Sequence, residues 1–351
     1  MARTARRVTR DDVARIAGVS TAVVSYVLND GPRPYSESAR RRVLAAVEKT
    51  GYRIHDVARA LASGKSRVFG FAAPSLLNPF IAEVARAIAL AAAERGALVL
   101  LGDTGEDQRR EDRVLRSMMQ REVDGIIYMS TNERLSKEIA HGSDIPTVIF
   151  EQAEDHPLVA SVRVDELEAG AELARHLVGH GRSRYAAVVG PTSMVNSSLR
   201  LSGFHQALDE AGVSPAHRSH RFAGTTREAG FLAAGEILRA EPGTDAIFAG
   251  NEALALGAIA AAAAMGRSVP GDIALVAFNG SHESRFHVPA LTISRQPIVT
   301  MARAAVGILN STTYQPADHY FPTELIVRAS CGCPYELDPN NVEVDRSGSI
   351  E

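Results

Sequence analysis

Cysteine is scarce in this chain: Cys331 and Cys333 are the only two in 351 residues. They form a lone C-x-C with no second pair, so neither a zinc site nor a disulfide framework is expected, only two reduced thiols near a strand end. Long apolar runs are missing too. No stretch of about 18 apolar residues could span a membrane, and alanine-rich segments such as "AIALAAAERG" are broken by charges, which suits buried helices. The arginine-rich start lacks the apolar core, about 7–15 residues long, of a secretory signal, and Asp11 and Asp12 follow almost at once. These absences predict a cytoplasmic protein without membrane contact. Enzyme signatures are lacking as well: there is no G-x-G-x-x-G, no G-x-x-x-x-G-K-[ST] and no G-x-S-x-G. No enzymatic activity and no cofactor are expected.

What the chain does have is a divided charge. The total is −3, but residues 1–67 hold 14 Lys+Arg against 6 Asp+Glu, a net of +8. The remaining 284 residues hold 24 against 35, a net of −11. A basic head suits a polyanion, and the acidic body does not. The length suits two or three domains.

Within the head, Thr9 and Asp12 have the spacing of a capping box, which opens a helix. Val13, Ile16 and Ala17 then make an inward stripe, and Gly18 supplies a tight turn. Ser20 can cap a second helix, with Val24, Val27 and Leu28 inward and Thr21, Ala22, Ser25, Tyr26 and Asn29 outward. A third helix is expected from about Ser36 to Thr50, burying Val43, Leu44 and Val47 and exposing Arg40, Arg41 and Arg42. Two helices joined through a glycine turn and braced by a third make a helix-turn-helix, whose second helix enters the major groove. The rival is a small packing module with solvated arginines. The outward polar face and the concentrated positive charge favour DNA.

"VTRDDVARIAGVSTAVVSYVLN", "GYRIHDVARALASGKS" and "VFGFAAPSLLNPF" together resemble the lactose-repressor (LacI/GalR) family of bacterial transcription regulators, over nearly the whole chain to about Pro334. The resemblance implies an N-terminal all-α helix-turn-helix head plus an α/β two-lobed effector domain like the periplasmic binding proteins. It places the head at 1–55, a hinge helix and linker at 56–66, the effector-binding and dimerisation domain at 67–334, and a polar tail at 335–351. The hinge helix runs from Asp56 to about Ser63. In the family it pairs with its dimer mate in the minor groove, with Leu61 as the wedge between base pairs and Arg59 beside it. Thr9 and Ser20 join Thr21, Ala22, Ser25, Tyr26 and Asn29 as implied DNA contacts. Three departures stand out. Ile54 and His55 replace a frequent Pro-Asn, Tyr26 replaces a frequent arginine, and Thr21 and Ala22 are smaller than many base-reading residues. The operator sequence therefore cannot be copied from a relative.

From Arg67 onward, "VFGFAAP", "ALVLLGD", "VDGIIYMS" and "PTVIFE" read as buried strands, and "YAAVVGP", "HRSHRFAG", "DAIFAG" and "DIALVAFNG" as a second series. Strands alternating with helices imply two parallel-sheet lobes, with a ligand cleft beyond the strand carboxyl ends. By the resemblance, one lobe is about 67–165 plus 296–325, and the other is 166–295 plus 326–334. The family also implies effector contacts: Asn78 and Phe80 in "SLLNPF", Asn196, Ser198 and Arg200 in "NSSLRLSGF", then Asn251, Asn279 and Gln296. Asn279 stands where many relatives have aspartate, and Thr225 where several have an aromatic. Glu172, His176 and His180 lie on one helix face, but "RHLVGH" resembles an ordinary helix end of the family, so no metal is expected there.

The combined reading is a repressor that binds an inverted-repeat operator in double-stranded DNA as a homodimer. A small molecule in the cleft, a sugar or sugar derivative, controls it. An activator or a corepressor-dependent regulator is the near alternative. A transporter's solute-binding protein would share the fold but lack the basic head. "PYELDPNNVEVDRSGSIE" carries no heptads for a tail-made tetramer.

Overall fold

The computed structural model describes residues 8–29, 34–52, 64–131, 136–140, 144–151 and 158–336. The chain divides into two compact units between Ser66 and Arg67. The first contains α1 (Arg10–Ala17), α2 (Thr21–Asn29) and α3 (Glu37–Thr50). A reciprocal capping box starts α1: the Asp12 N–H donates to Thr9 Oγ1 at 3.3 Å, and the Thr9 N–H donates to Asp12 Oδ2 at 3.0 Å. Such a cap contributes about 1 kcal/mol. Gly18, at φ 63°, ends α1 in the left-handed conformation that glycine adopts without a Cβ clash. Ser20 and Ser36 cap the other two helices by accepting from Val23 and Ala39.

The core of this unit is Val13, Ala14, Ala17, Val24, Val27, Val43 and Ala46. Two expected core residues turn outward. Ile16 is 42% exposed and Leu44 is 41% exposed, while Ala14 and Ala46 take the inward positions. Short helices packed this closely accept alanine where a branched side chain would push them apart. Arg40, Arg41 and Arg42 are exposed.

The second unit begins with β1 (Val68–Ala73), α4 (Pro79–Ala93), β2 (Leu98–Asp103), α5 (Gln108–Met119) and β3 (Gly125–Tyr128). It continues with α6 (Lys137–Ala140), β4 (Thr147–Phe150), β5 (Ala160–Val164), α7 (Glu166–Gly179), β6 (Tyr185–Val189) and α8 (Val195–Glu210). Next come β7 (Arg218–Phe222), α9 (Arg227–Ala240), β8 (Ala246–Ala249), α10 (Glu252–Ala264) and β9 (Ala274–Asn279). The last elements are β10 (Thr292–Arg295), α11 (Ile298–Leu309), β11 (Asp318–Phe321) and β12 (Glu324–Ile326).

Two six-stranded sheets result, ordered β2-β1-β3-β4-β5-β11 and β7-β6-β8-β9-β10-β12. All neighbours are parallel except β12, which runs antiparallel to β10. Strands β3, β4, β6, β8 and β9 are buried along their whole length, as sheets covered by helices on both faces require. Each order reverses at its first strand, so each lobe opens a crevice at the carboxyl ends of its strands.

The chain passes between lobes three times, at Asp165, at Gln296–Pro297 and at Pro322–Thr323. The third crossing comes earlier than the boundary near 325 that the resemblance implied, because Glu324 already pairs with Arg295 in the second sheet. In the second lobe α7 and α8 pack backbone to backbone. A Cβ on Gly203 would lie 1.8 Å from the Leu167 carbonyl, and one on Gly170 would lie 2.1 Å from that of Arg200. This contact brings Glu166 within reach of Arg200.

Candidate functional site

In the head, Thr21 and Ala22 are exposed at the start of α2, and Ser25 and Tyr26 are half-buried on the next turn. Thr9 and Ser20 are exposed, but their hydroxyls already cap helices. The backbone N–H groups of those first turns suit phosphate oxygens. Asn29 ends α2. Arg59, Leu61 and the rest of the expected hinge helix lie outside the described residues.

In the second unit, polar groups gather at the carboxyl ends of the strands. Arg200, on the first turns of α8, is 4% exposed. Its Nε donates to Glu166 Oε2 at 2.6 Å, Nη2 to Glu166 Oε1 at 3.1 Å, and Nη1 to the Gly250 carbonyl at 2.8 Å. Its guanidinium lies 3.7 Å from the centre of the Phe278 ring. Three donors of the fork are thus committed inside the protein. A second carboxylate, Glu151 at the end of β4, stands 3.8 Å from Nη2. Burial pushes the Glu166 carboxyl up to about 7, against the lowering influence of Arg200.

Asn196 and Gln296 are 3% and 2% exposed, and each holds a side-chain oxygen, Oδ1 and Oε1, with no hydrogen-bond partner. The Nε2 of Gln296 donates to Glu151 Oε1 at 2.6 Å and reaches Asn279 Oδ1 at 3.4 Å. Asn279 and Glu151 hold φ values of 101° and 68°, and Glu106 holds 58°. Side chains other than glycine rarely adopt this region, and such strain collects at ligand sites. The Thr225 hydroxyl donates across the cleft to Glu106 Oε1 at 2.7 Å.

Other expected contacts have internal employment. Asn251 caps α10 by accepting from Leu254 at 2.7 Å and donates to the Thr225 carbonyl. Asn78 caps α4 through Phe80 N. The Phe80 side chain is not a cleft residue here: it is 2% exposed and belongs to the core, because α4 buries that face against the sheet. Ser198 is half-buried on the first turn of α8. Glu83 of α4 bridges the lobes by accepting from the His282 backbone, and burial raises its carboxyl to about 7. Glu83, Glu106, Glu151 and Glu166 escaped the sequence reading, since a lone glutamate in an acidic body carries no local signal.

The two cysteines do have partners. Cys331 and Cys333 sit with His176 and His180 so that four ligand atoms lie within 4.8 Å of one another. The C-x-C has no second cysteine pair, but two histidines stand beside it, His176 in the last turn of α7 and His180 capping that helix. Glu172 is not one of the four.

An exposed-faced helix-turn-helix on a basic head, joined to a two-lobed α/β body with a polar interlobe cleft, defines a ligand-responsive regulator that binds DNA. Residues 9–55 match the family model described as bacterial regulatory proteins, lacI family. Residues 66–312 match the periplasmic binding proteins and sugar binding domain of the LacI family. The chain is 34% identical to catabolite control protein A of Priestia megaterium over 306 residues, 86% of this chain and 91% of the relative. It superposes on a crystal structure of the lac repressor dimer bound to operator and the anti-inducer ONPF with a TM-score of 0.81, at 25% identity, covering 93% and 99% of the two chains. A complex of the transcriptional regulator CelR with cellobiose matches at a TM-score of 0.68 and 27% identity, over 92% and 100%. The chain belongs to the LacI family of bacterial regulatory proteins and is a transcription regulator, not an enzyme. Among the described residues no helix is long and apolar enough to cross a membrane.

Proposed function

We propose that the protein is a cytoplasmic repressor that binds an inverted-repeat operator as a homodimer and is controlled by a neutral, polyhydroxylated effector in the interlobe cleft. Thr21, Ala22, Ser25, Tyr26 and Asn29 read bases, Thr9 and Ser20 set the helix ends against phosphates, and Leu61 with Arg59 occupies the minor groove. Support for the dimer comes from apolar side chains left exposed on the edge strands β2 and β7 and on α9 beside β7. Leu98 and Leu101 on β2 are 73% and 47% exposed, as are Phe222 on β7 at 41% and Leu232 on α9 at 61%. Edge strands with such faces call for a covering partner.

The carrying observation for the effector is the cleft's polar balance. Arg200 is neutralised by Glu166, while Glu151 and Glu106 add carboxylates and Asn196 and Gln296 hold unpaired oxygens. Such a wall offers acceptors to hydroxyl donors and repels anions, so it favours a free sugar over a sugar phosphate. The relative's cellobiose complex is of this chemistry. Asn279, which can donate where an aspartate could only accept, suits a ring oxygen or carbonyl.

The test is calorimetry of the full chain against ribose, glucose, galactose, cellobiose, ribose 5-phosphate and adenine, with anisotropy on DNA from its own promoter. A neutral sugar should bind, and Asn196→Ala and Gln296→Ala should each weaken it about tenfold, the scale of a lost buried hydrogen bond. Binding of the phosphate or the purine with the neutral sugars inert would overturn the reading. Loss of promoter binding on adding the sugar marks an induced repressor, and a gain marks the corepressor-dependent alternative.

A further inference from the structure

Far from the cleft, the other end of α7 carries a cluster that the regulator's function does not use. His176 lies in its last turn and His180 is the capping residue, so the two rings project from one face, one turn apart. Against them comes the segment after β12, where a short 3₁₀ turn, Ala329–Cys331, leads into Gly332 at φ 103°. This left-handed bend sets the flanking thiols of Cys331 and Cys333 on the same side as the imidazoles, and it is open to glycine because glycine has no Cβ.

Two of the ligand-atom separations match a coordination shell, and all four atoms lie within 4.8 Å of one another. His180 Nε2 and His176 Nε2 are 3.3 Å apart, and Cys333 Sγ is 3.4 Å from His180 Nε2. A tetrahedral zinc with Zn–N of about 2.0–2.1 Å and Zn–S of about 2.3 Å sets its ligand atoms about 3.3 Å apart for two nitrogens and about 3.6 Å for nitrogen and sulfur. Thr292 Oγ1 donates to Cys331 Sγ at 3.1 Å, an outer contact that suits a thiolate, while the thiol form reaches the Arg328 carbonyl at 3.2 Å. Cys331 is buried and the other three groups are half-buried, so a metal ion could enter without unfolding the lobe.

We propose that His176, His180, Cys331 and Cys333 form a four-coordinate Zn2+ site. Two imidazoles and two thiolates select a borderline-soft ion over magnesium or calcium. Four protein ligands leave no open position, so the site is structural rather than catalytic. Its place tells what it holds. The ion ties the final pass of the chain through the second lobe to α7, joining residues 153 positions apart. Glu166, which grips Arg200, begins the same helix about 15–21 Å away along its axis, so the metal and the effector occupy separate sites.

The experiment uses the untagged full chain, reduced, with Co2+ as the spectroscopic probe and Zn2+ as its competitor. One Co2+ per chain should bind with the visible intensity of four-coordinate cobalt and a thiolate-to-cobalt charge-transfer band, and Zn2+ should bleach both. Cys333→Ser and His180→Ala touch half-buried groups, so their folds are checked by circular dichroism without metal. Each should weaken Co2+ binding by more than about 100-fold, since even outer-shell partners account for about 10- to 100-fold. Zn2+ should raise Tm in the parent and not in Cys333→Ser. Absence of the charge-transfer band in the parent chain, or an equal Zn2+-dependent rise in Tm in the folded Cys333→Ser variant, would overturn the site.

Discussion

Replacing Arg200 by methionine keeps much of its apolar stem but removes the charge that holds Glu166. Hydrogen bonds of 2.6 and 3.1 Å to Glu166 and 2.8 Å to the Gly250 carbonyl are lost together, and the Glu166 carboxylate is left alone inside the lobe. Breaking a buried pair in this way costs about 3–5 kcal/mol. The loss should depend on pH. The folded-state pKa of Glu166 lies above its unfolded value of 4.5, so protonation favours the fold. That contribution is fully present below about pH 4.5 and is lost as pH rises through about 7. Without Arg200 the carboxyl moves higher still, so the variant's deficit should shrink to about 1–2 kcal/mol at pH 5, the scale of the surviving hydrogen-bond loss. It should reach its full size at pH 8. Urea unfolding of the full chain followed by circular dichroism measures this, the chain having no tryptophan to report. A deficit equal at the two pH values, or below about 1 kcal/mol at pH 8, refutes the pairing argument. Glu166→Met added to Arg200→Met should recover most of the loss, since an apolar pair of similar volume needs no counter-charge.

Tyr26→Ala should weaken operator binding by roughly 1–3 kcal/mol and leave random DNA almost unaffected; equal losses in anisotropy on both would assign Tyr26 to the backbone or the core. If Leu61 is the minor-groove wedge proposed above, Leu61→Ala should lower affinity and DNA bending together, since a wedge unstacks a base step; unchanged bending in a circular-permutation gel shift defeats that role. Gly203→Ala puts a Cβ 1.8 Å from the Leu167 carbonyl, so α7 and α8 must part, at about 1–3 kcal/mol. A parental Tm in that variant would contradict the packing described.

Local features were the readable ones. Thr9, Asp12, Gly18, Ser20 and Ser36 each act on a partner no more than four residues away in sequence, so local spacing alone predicts the caps and turns they make. The first strand of each lobe is a continuous apolar run and was equally plain. β11 and β12 were not: "DHYF" and "ELI" are short edge strands with exposed or half-exposed residues, and only pairing with β5 and β10 makes them strands. Ile16 illustrates a subtler gap, because periodicity locates an apolar stripe but not which of its members a neighbouring helix has room for. In the cleft, the family resemblance pointed to Asn196, Arg200, Asn279 and Gln296 but not to their carboxylate partners. Glu151 and Glu166 meet Arg200 only because two glycines let α7 and α8 touch and because the chain crosses between lobes beside them. The ligand cluster fails for the same reason at greater range, His180 and Cys333 being 153 positions apart.

The three crossings between lobes are one or two residues long, and two of them contain a proline, Pro297 and Pro322. Three short tethers side by side behave as a leaf hinge. They resist sliding and pulling apart, and they leave bending and slight twisting as the soft motions. Proline fixes φ at about −65° and so stiffens two of the three leaves. Whatever draws Glu106 toward Thr225 at the mouth of the cleft must therefore appear as rotation of one lobe on the other, with the lever arm of a whole sheet. Force applied by a molecule a few ångströms wide is converted to angle before it leaves the second unit. Lengthening the Pro322–Thr323 tether with glycines would let that angle dissipate while both sheets stay folded.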